Sequence, residues 1–173
     1  DKNILKIKSW QVKQGQQLFM HGPSGSGKST LLNLICGLTL PNKGDIHLFE
    51  QSLNNMSNRQ RDKFRASHIG YIFQKFNLID YLSAVENIKL ADYLSPKSTP
   101  ENFLVQIHKI LASLNLSIKD WNRPVNQLSV GQQQRVGIAR ALINKPKLII
   151  ADEPTSSIDQ ASRDSFISLL SSM

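Results

Sequence analysis

The feature that most constrains this chain is a segment rich in glycine and serine, Gly22-Pro23-Ser24-Gly25-Ser26-Gly27-Lys28-Ser29. It fits the pattern G-x-x-x-x-G-K-[ST], in which glycine lets the backbone approach phosphate oxygens closely. The apolar run 18–20 before it predicts a strand, and apolar residues at helical spacing after it predict a helix. This order of strand, loop and helix is typical of phosphate-binding loops and disfavours the alternative, an ordinary turn rich in glycine and serine.

The chemistry of the loop predicts a nucleotide ligand. We expect the Lys28 ammonium to reach the β and γ phosphates of ATP, and the Ser29 hydroxyl to ligate Mg²⁺. The helix that begins near Lys28 directs its first N–H groups at the same anion. The predicted nucleotide-binding set therefore extends from Gly22 to Thr30.

A second segment supplies carboxylates. Residues 148–151 form a continuous apolar run of strand length, as expected for a buried parallel strand, and Asp152 and Glu153 follow it directly. We predict that Asp152 holds Mg²⁺, mostly through water, and that Glu153 activates the attacking water. A strand that merely ends in solvated acids is the alternative, which the phosphate loop upstream disfavours.

A third segment, 128–135, predicts another helix start. Ser129 and Gln132 have the spacing of a capping box, which any helix start could use, and Gly131 would permit close approach of a ligand. A capped helix N-terminus also attracts anions. The chain thus has two predicted phosphate-binding helix starts, which indicates that the second one serves another molecule.

Together these three segments resemble the ABC ATPases, whose LSGGQ signature corresponds to LSVGQ at 128–132. The resemblance covers essentially the whole chain, with Gln74 at the position of the Q-loop and 156–159 at that of the D-loop. It implies a head-to-tail homodimer that sandwiches two ATP molecules. Each ATP would then contact Lys28 and Ser29 of one subunit and Ser129, Gly131 and Gln132 of the other.

The resemblance also implies roles for the remaining site residues. Glu153 would be the general base, and Gln74 would contact the metal or the attacking water and link the site to a transmembrane partner. Mg²⁺ would be held by Ser29, Asp152 and Gln74.

A finer resemblance lies in 69–78 and 84–88, which are similar to the lipoprotein-release and macrolide-export (LolD/MacB-like) branch. That branch implies an ATPase subunit of an exporter, peripheral on the cytoplasmic face of the inner membrane and bound to an integral membrane permease. The alternative is a non-transport role, such as that of the FtsE-like cell-division subunits or a regulatory partner. The sequence does not name the transported substrate.

The predicted fold class is α/β, a P-loop NTPase (RecA-like) core with an inserted α-helical subdomain. Residues 1–77 and 145–173 would form the ATP-binding core, and 78–144 the helical signature subdomain. The predicted strands are 5–12, 18–20, 46–49, 69–73 and 148–151, and the predicted helices are 28–37, 57–65, 83–94, 101–114 (with Thr99 and Pro100 at its start), 129–144 and 160–170.

Several positions depart from the family pattern. Val130 replaces the second signature glycine, a small change that should leave Ser129 and Gly131 functional, and His21 reads as a strand-end histidine. Trp10 and Phe19 are interpreted as core or strand residues. The family's switch histidine and its adenine-stacking aromatic would fall outside 1–173. We therefore expect the chain to be incomplete at both ends and to hydrolyse ATP poorly alone.

Composition narrows the alternatives. The net charge of +8 suits anionic partners or simply solubility, but the basic residues are scattered, and we expect no nucleic-acid partner. The single cysteine, Cys36, is predicted to be buried, and it excludes an internal disulfide and the cysteine-rich zinc sites of repair ATPases. The short separation of Lys28 from Asp152 leaves no room for a long coiled coil. No window approaches the roughly 20 apolar residues of a membrane span.

Overall fold

The computed structural model of the chain describes residues 4–23, 25–93 and 102–152. The chain divides into two compact units between Ser57 and Asn58. The described helices are α1 (Lys28–Ile35), α2 (Asn58–His68), α3 (Ala84–Tyr93), α4 (Phe103–Ser113) and α5 (Val130–Leu142). The described strands are β1 (His47–Leu48), β2 (Gln51–Ser52), β3 (Ile69–Ile72) and β4 (Leu148–Ala151).

In the first unit, α1 begins directly after the glycine-rich loop, and a glycine two positions beyond its last residue terminates it. Gly37 has a left-handed backbone with φ of 66°, and the N–H of Leu38 donates to the carbonyl of Asn33 at 2.9 Å. This pattern satisfies carbonyls of the last helical turn, as in a Schellman motif. Leu32 and Cys36 are buried, so the prediction for the cysteine is confirmed.

A short antiparallel hairpin follows in the same unit. His47 pairs with Ser52 and Leu48 with Gln51, close to the strand predicted at 46–49. The turn residues Phe49 and Glu50 both have positive φ, which a tight two-residue hairpin turn requires.

The predictions of two strands, of a strand-end histidine and of two core or strand aromatics in the first unit were wrong. No strand forms at 5–12 or 18–20 among the described residues, and His21 is exposed in an irregular segment. Phe19 is 91% exposed and Trp10 is 47% exposed, so neither is a core residue. An apolar run becomes a strand only when a neighbouring strand bonds its backbone, and the described part of this unit supplies none for these segments.

In the second unit, β3 and β4 form a parallel pair. Ile69 is opposite Leu148, and Ile72 is opposite Ala151 at the carboxyl end. A Cβ atom at Gly70 would lie 2.5 Å from the carbonyl oxygen of Ala141, so only glycine lets the end of α5 pack this closely on β3.

Three helices enclose the main apolar core of the second unit. Side chains of α3, α4 and α5 meet there, and those with an exposed fraction of 0% are Ala84, Ile88, Ile107, Leu111, Val136 and Ala139. The segment between α4 and α5 contains two short 3₁₀ helices, Ile118–Asp120 and Val125–Gln127.

The predicted helices 57–65, 83–94, 101–114 and 129–144 correspond to α2, α3, α4 and α5. Thr99, Pro100 and the predicted helix 160–170 lie outside the described residues. No helix in the described ranges combines the length and apolar content needed to cross a bilayer. The division into a core and a signature subdomain stays a prediction.

Candidate functional site

The glycine-rich loop is joined to α1 by Gly27, where any other residue would be strained. Gly27 is the N-cap of α1 and has φ of 91° and ψ of 9°, a left-handed conformation. A Cβ atom there would also lie 2.9 Å from Cδ2 of Leu5. Within the loop, the N–H of Ser26 donates to the carbonyl of Pro23 at 3.3 Å, which closes a tight turn. Ser24 lies outside the described residues.

The start of α1 is suited to an anion. No side chain in the described part of the chain caps the helix, and its first turn holds no acidic residue. The N–H of Leu31 bonds the carbonyl of Gly27, which leaves the N–H groups of Lys28, Ser29 and Thr30 as first-turn donors. These donors and the helix dipole favour negative charge at this position.

Lys28 adds a positive charge to the same loop. Its Nζ donates to the carbonyls of Gly22 at 2.6 Å and Pro23 at 3.0 Å, so the side chain folds back over the loop. An ammonium has three donor hydrogens, and two carbonyl contacts leave one for a further acceptor. The loop residues therefore fit a phosphate group, and Ser29 lies exposed beside them.

In the second unit, two predicted site residues follow the parallel strands at the same edge. The N–H of Asp152 donates to the carbonyl of Ile72 at 3.0 Å, which extends the β3–β4 ladder by one residue. Asp152 is half-buried and Gln74 is exposed two positions beyond β3. The predicted general base, Glu153, lies outside the described residues.

The segment after Gln74 is held by a residue that the sequence did not single out. Arg140 of α5 donates to the carbonyls of Phe76 at 2.8 Å and Asn77 at 2.7 Å. Burial lowers the pKa of the Arg140 guanidinium from its ordinary value. A Cβ atom at Gly137 would lie 3.6 Å from Cβ of Phe76, an ordinary van der Waals contact, so α5 lies directly against this segment. The helix that carries the signature residues thus fixes the backbone of the Gln74 loop.

The predicted capping box at the start of α5 is present. The Ser129 N–H donates to Oε1 of Gln132 at 2.8 Å, and the Gln132 N–H donates to Oγ of Ser129 at 3.3 Å. Val130 is 56% exposed, which is compatible with its replacing a glycine. A Cβ atom at Gly131 would meet nothing within 4 Å. Glycine at this helical position therefore has no steric reason within the described chain.

These features define the class of the protein as a P-loop nucleotide-binding domain. The model of the ABC transporter family matches residues 5–156, and the chain belongs to this family. The predicted fold class is confirmed, and the chain is an ABC-type ATPase cassette.

Two relatives are similar over almost the whole chain. The uncharacterised ABC transporter ATP-binding protein MJ0796 of Methanocaldococcus jannaschii is 40% identical over 169 residues, which cover 96% of this chain and 72% of that protein. The lipoprotein-releasing system ATP-binding protein LolD of Psychrobacter arcticus is 40% identical over 162 residues, which cover 94% and 71%.

A longer relative and a solved structure extend the comparison. The macrolide export ATP-binding/permease protein MacB of Rhodopirellula baltica is 37% identical over 98% of this chain, which corresponds to 25% of MacB. The dimeric, post-hydrolysis structure of the MJ0796 cassette bound to ADP and Pi superposes with a TM-score of 0.85. It is 37% identical and aligns with 93% of this chain and 70% of its own.

Proposed function

We propose that the chain binds and hydrolyses ATP as the cassette of an ABC exporter, and that ATP-driven dimerisation drives export through a separate membrane permease. The observation that carries the proposal is the pair of helix starts, of α1 and α5. The first carries a lysine and uncapped donors on a glycine-rich loop. The second carries a serine cap and a glycine that the described chain does not need for its own packing.

The nucleotide phosphates would lie against residues Gly22–Thr30. The ammonium of Lys28 and the first-turn N–H groups of α1 supply the positive end of this contact. Mg²⁺, when bound, neutralises phosphate charge, and Ser29, Asp152 and Gln74 would hold it. The hydroxyl, carboxylate and amide oxygens of these residues are ligands of the type that Mg²⁺ prefers.

A second copy of the chain would complete the site through Ser129, Gly131 and Gln132. The Ser129 oxygen accepts a hydrogen bond from the Gln132 N–H, so its own proton remains to be donated to an acceptor outside the helix. The open space at Gly131 supports close approach of that acceptor. The MJ0796 cassette is dimeric in its solved structures, which supports a homodimer for this chain.

Hydrolysis is assigned to Glu153 as the base that activates water, with Gln74 as a further contact to water or metal. We predict that Glu153→Gln abolishes turnover while ATP binding persists and a dimer accumulates, because the amide cannot accept the water proton. Size-exclusion chromatography with ATP and a phosphate-release assay measure both effects.

Glu50→Gln is the matched control for this experiment, because the same chemical change falls on an exposed turn between β1 and β2. It should behave as the wild type in both assays. Turnover by Glu153→Gln of the full-length subunit at the wild-type rate would show that the base lies elsewhere.

The partner would be an integral membrane permease, and the cassette would lie on the cytoplasmic face of the inner membrane. The names of LolD and MacB support an export role. Co-purification in mild detergent tests it. Recovery of a permease would support export, whereas recovery of a cell-division protein would favour the FtsE-like role.

A further inference from the structure

Asp120 is a buried carboxylate close to the signature helix. It ends the 3₁₀ helix Ile118–Asp120 and is 2% exposed. Both of its oxygens accept hydrogen bonds: Oδ1 from Arg123 at 2.9 Å and Oδ2 from Nε2 of Gln132 at 2.8 Å. A buried charge is costly unless such partners satisfy it. The second contact crosses from the 3₁₀ helix to the start of α5, which makes it more than a local ion pair.

The contact with Asp120 determines which way the Gln132 amide points. The Asp120 carboxylate only accepts hydrogen bonds, so the NH₂ group of Gln132 must face it. The amide oxygen then faces the Ser129 N–H, to which it is bonded at 2.8 Å. The opposite orientation would place an amide oxygen against the carboxylate and an NH₂ group against an N–H. Asp120 therefore excludes the flipped amide.

The orientation of Gln132 in turn fixes the Ser129 hydroxyl. The capping box holds the Ser129 backbone through Oε1 and occupies Oγ with the Gln132 N–H. Because Oγ is already an acceptor, its proton is left to be donated to another oxygen. Three residues thus form a chain of hydrogen bonds from a buried carboxylate to an outward-facing hydroxyl.

We propose that Asp120 is a positioning residue for the signature helix, which acts through Gln132 to set the Ser129 hydroxyl toward a phosphate oxygen of the nucleotide on a second chain. The inference rests on the role proposed above for Ser129. Asp120 contacts neither the nucleotide nor the attacking water in this scheme. Its effect should therefore appear in dimer formation and turnover, and not in the affinity of the phosphate loop.

The test exchanges the polarity of the contact between Asp120 and Gln132. Asp120→Asn keeps the shape, but its NH₂ group meets either Gln132 or Arg123, donor against donor. Gln132→Glu alone places two carboxylates together. The double variant restores the contact, since the amide introduced at position 120 can donate to the carboxylate introduced at position 132 and still accept from Arg123.

We expect Asp120→Asn to lower ATP turnover and ATP-dependent dimer formation about tenfold, as for loss of a hydrogen bond to a charged group. Gln132→Glu should lower both at least as much, and the double variant should recover most of the loss. ATP binding to the separate subunit, measured by titration calorimetry, should stay within about twofold of the wild type. If the double variant turned over ATP no faster than the single variants, the inference would be overturned.

Two further variants separate the possible failures. Ser129→Ala with wild-type turnover would refute the role proposed for Ser129 itself. A loss in Ser129→Ala without any loss in Asp120→Asn would refute only the positioning role of Asp120. Ser83→Ala removes a capping serine of the same kind from α3, so it controls for loss of helix stability and should keep wild-type turnover.

Folding is monitored by thermal unfolding of every variant, and turnover is normalised to the folded fraction. If Asp120→Asn fails to fold, the comparison of Gln132→Glu with the double variant decides the question. Recovery of turnover in the double variant supports the inference, and no recovery overturns it.

Discussion

Two helices, α1 and α5, begin beside glycine and serine residues. They differ in the hydrogen-bond donors that their first turns offer to a ligand. At α1 a left-handed glycine is the N-cap, and no described side chain bonds the first turn. At α5 a capping box consumes one of the first-turn donors, the Gln132 N–H. The first start offers three backbone N–H groups and an ammonium, whereas the second offers those of Val130 and Gly131 and one hydroxyl proton.

The two helix starts are therefore suited to different contacts with a nucleotide. Strong binding of an anion requires several donors and a full positive charge, which the α1 start has. The α5 start has fewer donors and no cation of its own in its first turn. It is therefore suited to add a contact to a nucleotide that is already bound elsewhere, and the proposed dimer provides that arrangement.

The largest expected effect comes from removing the charge at α1. Lys28→Ala should weaken ATP binding at least tenfold, because a hydrogen bond to a charged group contributes about 1.5–3 kcal/mol. Titration calorimetry of the purified protein measures the affinity. Lys43→Ala, an exposed lysine in the same unit, is the control and should bind ATP normally. Equal affinities of the two variants would contradict the comparison.

A smaller effect is expected at α5, where one substitution should raise the stability of the protein and lower its ability to dimerise. Gly131→Ala should raise the free energy of unfolding by up to about 0.5–1 kcal/mol, because alanine is the better helix former and the added methyl meets nothing. The same methyl would obstruct a phosphate that approaches the helix start. ATP-dependent dimer formation should therefore fall while the affinity of the separate subunit is unchanged.

Gly27→Ala is the corresponding substitution at α1, and its expected effect on stability is the opposite one. The left-handed backbone and the contact with Leu5 should make this variant less stable than the wild type. Chemical unfolding of both glycine variants checks the stability terms. A Gly131→Ala protein that dimerises normally would show that nothing approaches this helix start.

Local rules predicted much of this arrangement. The predicted capping box at Ser129 depends on residues three positions apart and is present, and the same spacing forms a second one at Ser83. The loop before α1 and the strands β3 and β4 also follow from short patterns, although the pairing of the two strands does not. Strands at 5–12 and 18–20 were wrongly predicted because strand formation depends on a neighbour that a short pattern does not reveal.

The residues that sequence reasoning missed act across long separations. Arg140 bonds carbonyls 63 and 64 positions away, and Asp120 bonds Gln132 across 12 positions. No periodicity connects such pairs, since they meet only after the helices have packed. Asp120 is visible in the sequence nine positions before Ser129, but its burial is known only from the fold. The sequence alone therefore did not indicate its role.

The smallest expected effect is a difference between the two capping boxes in how the stability that they contribute depends on pH. In α3 the Glu86 carboxylate accepts from the Ser83 N–H at 2.8 Å, whereas in α5 an amide, that of Gln132, has the same role. The bond from the Ser83 backbone, followed by that from its side chain, lowers the pKa of Glu86. A lowered folded-state pKa gives stability above the unfolded-state pKa, and that stability is lost as the pH falls through the folded-state value.

Glu86→Gln should therefore be less stable than the wild type at neutral pH, and this gap should narrow at an acidic pH below the lowered folded-state pKa of Glu86. Urea unfolding of both proteins at the two pH values measures the gap, and titration of the other carboxyls cancels in the difference. Ser129→Ala, which removes an uncharged cap and leaves the contact between Gln132 and Asp120 in place, should show a stability gap to the wild type that does not change with pH. A gap for Glu86→Gln that is equally constant would mean that its charge adds nothing to the cap, and that the two helix starts in the second unit are stabilised by the same neutral hydrogen bonds.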